Sequence, residues 1–419
     1  MTGEVTKQVG RKVPVSGKVV GPRETGYMIE AATELQLCGG HFEEEFADAL
    51  RSYLGVRHVS LCNSGSSANL LALSALTSSS VPKERRLEPG DGVIVTTTSF
   101  PTTVAPVYQH RLLPIFVDVG IDTYNILPKL LEHTLEYRPK AIMVAHTLGL
   151  PFDVDAVLEF CARNGVWLIE DNCDALGSEW DGQRTGSFGV YSTQSFYPAH
   201  HITTGEGGAV SSYNERYKRI LESFRDWGRD CWCRPGRDNT CGRRFSQTFE
   251  GIPPEYDHKY IYSHIGYNMK MTEMQAACGL AQMRKIDQFT LSRLDNFAYL
   301  DMALRVHRCS EFLILPKVHH KASPSPFGYP IGVRSRAPFA AKNMIQYLES
   351  AGIATRRVFA GNVIRQPAFA SRPYASVGGF NGADFIMENS FWVGCWHGLT
   401  LDDMQYIKDV IIEFVEMHK

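Results

Sequence analysis

Lysine is missing from the whole stretch between Lys140 and Lys218, so no primary amine is available there as a covalent nucleophile. Long apolar runs are missing too: none approaches the roughly 20 residues that span a bilayer. The first residues, MTGEVTKQVGRKVP, carry no apolar h-region, which argues against a secretory signal. Net charge is only −2, excluding generalised attraction to nucleic acid or to membranes. Repeats and low-complexity tracts are absent. These absences predict a soluble cytoplasmic protein. The 419 residues, 44% of them hydrophobic, suffice to bury a sizeable core without staples.

Cysteine, by contrast, is plentiful: ten in all. In a reducing compartment clustered cysteines point to metal or redox work rather than disulfides. Cys161, Cys278, Cys309 and Cys395 lie in apolar, helix-like surroundings and read as small buried hydrophobes. Cys173, Cys231, Cys233 and Cys241 form a C-x57-C-x-C-x7-C pattern. Four thiolates hold zinc or an iron–sulfur cluster. Zinc sites favour paired CxxC knuckles, which are absent, so the spacing leans to iron–sulfur; unligated cysteines are the alternative.

Between residues 40 and 210 the pattern alternates. GVIVTTT, LPIFVDV, KAIMVAH and VWLIED are short, β-rich, nearly all-apolar runs. FEEEFADALRSYL, SSANLLALSAL, YNILPKLLEHTL and DVDAVLEFCARNG have helical spacing. Short apolar strands between helices predict an α/β fold with a mostly parallel sheet covered on both faces. Ligands then sit beyond the carboxyl ends of the strands. Residues 228–261 break the pattern with Gly, Pro, Arg and Cys and no period, as a functional loop does. TEMQAACGLAQMRKIDQF resumes helical spacing. FGYPIGV, AKNMIQYLESAG and DDMQYIKDVIIEFVEMH read as strand, helix and closing helix of a small α+β unit. The expected organisation is an N-terminal segment (1–40), a large α/β domain (41–300) and a small C-terminal α+β domain (301–419).

Two motifs suggest a cofactor. Asn63-Ser64-Gly65-Ser66-Ser67 precedes a helix, where backbone N–H groups and hydroxyls favour a phosphate; a plain N-cap with a turn explains them as well. VWLIED ends a buried strand in Glu170-Asp171, with Asp174 close behind. A carboxylate there pairs with a protonated ring nitrogen, or serves as a cap or a structural ion pair.

Ser195–Val210, SFYPAHHITTGEGGAV, ties these together. It resembles the SFHPxKNITTGEGG loop of sugar aminotransferases among fold-type I pyridoxal-phosphate (PLP) enzymes, with His200 at the lysine position and His201 at the asparagine position. The same lysine-to-histidine exchange marks the pyridoxamine-phosphate (PMP)-dependent nucleotide-4-keto-6-deoxyhexose 3-dehydratases. The cysteine spacing, ESFRDWGRDC, YDHKYIYSHIGYN and FAGN followed by RQP resemble the iron–sulfur members that act on CDP-linked sugars. The resemblance runs from about Val13 to the C-terminus. It implies a fold-type I architecture with a seven-stranded sheet. It implies C-3 deoxygenation of a nucleotide-linked 4-keto-6-deoxyhexose through a PMP–sugar imine, giving a 3,6-dideoxy-4-ketohexose. Electrons would pass one at a time through a [2Fe–2S] cluster from an NADH-dependent flavin/iron–sulfur reductase.

The resemblance also implies roles by position. His200 is the base, with Asp174 and Tyr197 beside it. Asp171 pairs with the pyridinium nitrogen and Phe100 stacks on the ring. Gly65, Ser66, Ser67 and Ser195 cradle the phosphate, and Asn268 reaches it from a neighbouring subunit of a homodimer. Cys173, Cys231, Cys233 and Cys241 hold the cluster. Arg365 is a candidate for the nucleotide diphosphate, or a surface salt bridge. Two stretches depart from the family pattern: Cys38-Gly39-Gly40-His41, where it reads like WLTTGRF, and Trp396-His397-Gly398-Leu399, where it reads like YPGL. The competing readings are an aminotransferase, a cluster-free PMP dehydratase regenerated by glutamate, and a zinc-stabilised sensor on a retired fold.

Overall fold

The computed structural model describes residues 10–234 and 237–419. The predicted apolar runs form the centre of one large sheet. Its strands are β1 (His58–Cys62), β2 (Gly92–Thr96), β3 (Leu113–Val117), β4 (Pro139–Ala145), β5 (Trp167–Asp171), β6 (Tyr191–Ser195), β7 (Gly208–Ser212) and β8 (Ala375–Val377). The order is β1-β7-β6-β5-β4-β2-β3-β8. Pairing is parallel from β6 across to β8 and antiparallel where β7 meets β6 and β1. The expected seven strands are all present; the eighth, β8, comes from the C-terminal part and pairs with β3.

Helices cover the sheet because their sequences are one-sided. In α2 (His41–Leu54) the buried residues are Phe42, Phe46, Leu50 and Leu54, a four-residue spacing that makes one stripe. Helix α7 (Glu273–Met283) opens on a Thr272/Gln275 capping box and packs on that stripe. Gly279 permits the approach, since a Cβ there would lie 2.5 Å from the Phe46 ring. Where a helix is expected over residues 124–135, residues 128–137 wind as 3-10 turns; their buried members, Leu131 and Thr134, are three apart, the 3-10 period.

The C-terminal part builds a second core. Strands Leu313–Ile314, Gly328–Val333, Ser390–Gly394 and Thr355–Arg356 form a four-stranded sheet. Helices Ala341–Ser350 and Leu401–Glu416 pack on it. The same core takes in Val13 and, from the helix Ile286–Val306, Phe297, Leu300 and Leu304. That helix runs through residue 301, where the sequence suggested a boundary. The described residues of 228–261 form the expected irregular loop, with a 3-10 turn at His258–Tyr260. Among the described residues, no helix is long and apolar enough to cross a membrane.

Candidate active site and cysteine cluster

Strand β5 ends in two buried carboxylates that do different things. Glu170 accepts from the N–H groups of Gly186, Phe188 and Gly189 at 2.6–2.8 Å, from Ser192 Oγ at 2.7 Å and from His146 Nε2 at 3.1 Å. Burial alone would raise its pKa; these donors, His146 first, hold it below the ordinary value. His146 Nδ1 accepts the Phe152 N–H at 3.3 Å, and the two rings stack 4.1 Å apart. Glu170 is therefore a structural clamp on the strand end.

Asp171 faces a different set. Its Oδ2 accepts from Asn69 Nδ2 at 2.9 Å and Thr103 Oγ1 at 2.7 Å, and its Oδ1 from the Cys173 N–H at 3.2 Å. Three donors thus fix the orientation of this carboxylate. It lines a cavity of about 1100 Å³ shared with Gly65, Ser66, Phe100, Cys173, Asp174, Ser195, Tyr197 and His200. Most of the candidate residues thus meet in one place, at the carboxyl end of the sheet. Ser64 caps α3 (Gly65–Ala75), accepting the Ser67 N–H at 3.1 Å. Gly65 is required here: a Cβ would lie 2.5 Å from Ser195 Cβ. Phe100 and Tyr197 are half exposed, at 50% and 51%. A carboxylate floor, an exposed aromatic wall and a helix N-terminus suit a flat, protonated ring bearing an anionic tail.

His200 stands at the other side. Its N–H donates to the Tyr197 carbonyl at 2.9 Å, and its Nδ1 lies 3.4 Å from Asp174 Oδ1. His200 Nδ1 and Asp174 Oδ2 have no hydrogen-bond partner. Burial, then the nearby Arg293 cation, pushes His200 down to about 3. Burial, then the Asp171 charge, pushes Asp174 up to about 8. Near neutrality the pair is therefore uncharged, with the proton on Asp174. His201 is buried and bonds the Ser325 carbonyl through Nε2 at 2.8 Å, a packing role.

Some candidates lie elsewhere. Ser67 is taken up by the Ser64 cap. Asn268 accepts from Lys270 Nζ at 2.8 Å, outside the cavity. Arg365 pairs with Asp384 at 2.5 Å, the salt-bridge alternative. Arg356 and Arg357 line the cavity in its place; the Arg-Arg pair just before FAGN was the available signal. The sequence reading also missed Arg293, fully buried, which donates to the carbonyls of His200 and Pro326, each at 3.1 Å.

The cysteines divide. The sulfurs of Cys231, Cys233 and Cys241 lie within 4.8 Å of one another. The Cys241 N–H donates to Cys233 Sγ at 3.3 Å, and the Arg243 N–H to Cys241 Sγ at 3.4 Å. Although burial raises it, hydrogen bonding from Thr240 and Cys241 brings Cys233 down to about 7, which suits a metal ligand. Cys173 does not join them, contrary to the expected four-cysteine set. Its Sγ lies 4.0 Å from Thr193 Oγ1, in the cavity with Asp171. Cys161, Cys278, Cys309 and Cys395 are buried as expected, and so is Cys62.

The model of the DegT/DnrJ/EryC1/StrS aminotransferase family matches residues 20–412. The chain is 50% identical over 404 residues to the lipopolysaccharide biosynthesis protein RfbH of Salmonella typhimurium, covering 96% of this chain and 91% of that protein. It is 44% identical over 402 residues to the dTDP-4-dehydro-2,6-dideoxy-D-glucose 3-dehydratase of Saccharopolyspora spinosa, covering 96% and 86%. The solved E. coli GDP-4-keto-6-deoxy-D-mannose-3-dehydratase with bound hydrated PLP superimposes with a TM-score of 0.85 at 25% identity, covering 95% of this chain and 98% of that one. The architecture is the fold-type I aminotransferase-like α/β fold.

Proposed function

Because the chain belongs to the DegT/DnrJ/EryC1/StrS aminotransferase family, we propose that it is a PMP-dependent 3-dehydrase. Its substrate would be a nucleotide-linked 4-keto-6-deoxyhexose, in the CDP-linked form, and its product a 3,6-dideoxy-4-ketohexose. The carrying observation is that no lysine is among the described residues lining the cavity, where the resemblance of the SFYPAHHITTGEGG loop sets His200 at the position of the Schiff-base lysine. An aminotransferase needs that amine to release and reload its cofactor. The two relatives named as 3-dehydratases support the same reaction class.

PMP supplies an amine for the sugar ketone and a pyridinium electron sink. Asp171, oriented by three donors, would pair with the ring nitrogen. Phe100 would stack on the ring, and Gly65, Ser66 and Ser195 at the α3 N-terminus would hold the phosphate. His200, neutral and with Nδ1 toward Asp174, takes a carbon-bound proton through Nε2. Asp174 carries a proton that can follow the departing C-3 oxygen, and Tyr197 borders the same space. Arg356 and Arg357 supply the cationic wall that a nucleotide diphosphate needs.

Cys231, Cys233 and Cys241 provide three thiolates for a [2Fe–2S] cluster, with Cys173 as the fourth. A flavin/iron–sulfur reductase drawing on NADH would deliver the electrons. The working unit is a homodimer, with Asn268 completing the phosphate site of the neighbouring subunit. The test is anaerobic purification followed by an absorption spectrum and counts of iron and acid-labile sulfide. Two of each per chain, with amine-form cofactor, support the reading. Zinc or no metal would leave a cluster-free dehydratase, and amino-group transfer to the sugar would overturn the dehydrase itself.

A further inference from the structure

We propose that the iron–sulfur centre is shared between two copies of the chain: Cys231, Cys233 and Cys241 of one copy close on Cys173 of the partner subunit. This rests on the cluster reading above and adds to it where the centre is built.

The described residues of one copy leave it incomplete. Among the described residues three sulfurs are gathered within 4.8 Å and no fourth joins them. Cys173 follows β5, and two strands, β6 and β7, lie between β5 and the edge strand β1. At about 4.8 Å per strand, β5 is roughly 14 Å from β1. The three-cysteine loop lies on the β1 side. Cys231 and Cys233 share a cleft with His58–Leu61 of β1, and Arg234 pairs with Glu44 of α2. That cleft and the Cys173 cavity have no lining residue in common. A two-iron cluster spans only a few ångströms, far less than the separation of these two strands.

The surface beside the loop is made for a second copy. Ile265 is 96% exposed, yet its turn is rigid. The His264 imidazole is held between Ser78 Oγ at 2.6 Å and Ser223 Oγ at 2.8 Å. Gly228 (φ 81°) lies so close that a Cβ there would collide with the His264 carbonyl. Trp227, Tyr260 and Tyr262, which bracket the cysteine loop in the chain, are also exposed. An aliphatic knob and three aromatics held in water mark a protein contact. The Cys173 cavity is bordered in turn by the exposed Phe100 and Tyr197. In a two-fold pair, a contact from patch to cavity occurs twice. Two incomplete centres in each chain thus become two complete centres in the dimer.

The rival within one chain is Cys38, which lines the same cleft as Cys231 and Cys233 but whose Sγ donates to the Met271 carbonyl at 3.6 Å. The experiment distinguishes these arrangements by counting iron. A C173S chain and a C231S/C233S/C241S chain, differently tagged, are co-expressed, and the mixed dimer is isolated anaerobically over both tags. If the centre is shared, one site of the mixed dimer is intact and the other doubly broken. The mixed dimer then carries two irons and two sulfides, half the wild-type dimer's content, while each variant alone carries none. An iron-free mixed dimer beside an iron-replete wild type overturns the sharing and leaves the cluster reading intact. Iron lost in C38S but kept in C173S also overturns it. An iron-free wild type removes both. As a second measure, Ile265→Asp, with every cysteine present, should yield monomers without iron; an iron-replete monomer would overturn the proposal.

Discussion

Arg293 Nε donates to His397 Nδ1 at 3.2 Å, while Nη2 of the same guanidinium holds the His200 carbonyl at 3.1 Å. His397 stacks on Phe289 at 3.8 Å, so the acceptor is fixed from behind. The histidine that departs from the family pattern thus reaches the His200 loop through one buried cation. The groups facing His200 are Asp174 across the cavity, with Asp171 behind it, and Arg293 and His201 from below. Removing the cation by Arg293→Met should make His200 easier to protonate. The acidic limb of C-3 dehydration should then move to higher pH, together with a stability loss of about 3 kcal/mol from the unpaired carbonyls. His397→Asn, which keeps an acceptor, should preserve the wild-type limb where His397→Ala shifts it. Identical profiles in all variants would reduce Arg293 to packing.

Asp174 makes the cofactor-free protein sensitive to alkali. Its folded pKa of about 8 lies above the ordinary 3.8. The folded state therefore holds a proton that the unfolded chain has lost, and stability falls as pH rises toward 8. His200 works in the opposite direction. Depressed from 6.5 to about 3, it costs stability as pH falls below 6.5 and is nearly silent above it. Between pH 6.5 and 8 the Asp174 effect outweighs the residual His200 titration and amounts to about 1.6 kcal/mol. Urea unfolding at the two pH values should show that loss in the wild type and a much smaller one in Asp174→Asn. Equal losses would mean Asp174 is ionised throughout.

Local chemistry was legible in the sequence because local chemistry made it. The four apolar runs became β2–β5, and the small residues at 64–66 became a capped helix start beside Ser195. What stayed hidden depends on distant chain segments. Arg293 reads as a surface residue of an amphipathic helix until Pro326, Phe327, His397 and His200 arrange acceptors around it. The cysteine spacing named a set, yet spacing along the chain carries no information about the two strands that separate Cys173 from the others. Arg365 and Arg356 differ little in sequence context; Asp384 captures the first and leaves the second to face the cavity.

His200→Lys should restore the missing amine. The position is buried, so the lysine pKa is lowered toward neutrality, which makes the amine nucleophilic toward an aldehyde. Incubated with PLP and reduced with borohydride, the variant should retain one covalently bound pyridoxyl group per chain by intact mass, while the wild type retains none. C-3 dehydration should fall at least a hundredfold, the usual scale for loss of a general base. A labelled wild type would place a reactive lysine elsewhere in the cavity.

The cysteine loop carries several arginines, but they are not equivalent. Arg234 and Arg237 face Glu44, and Arg244 is bound to Asp257 at 2.8 Å. Reversing any of them breaks an ion pair of the loop itself. Among the described residues Arg243 has no carboxylate partner; its guanidinium lies 5.9 Å from the Trp232 ring, and its backbone N–H donates to Cys241 Sγ. If this face docks the reductase, Arg243→Glu should lower the rate of cluster reduction several-fold and flatten its dependence on salt, because rim charges act on association more than on the bound complex. Dehydration measured without the reductase should be unchanged, and so should the iron content. A wild-type reduction rate at low ionic strength would direct the search for the docking face away from this loop.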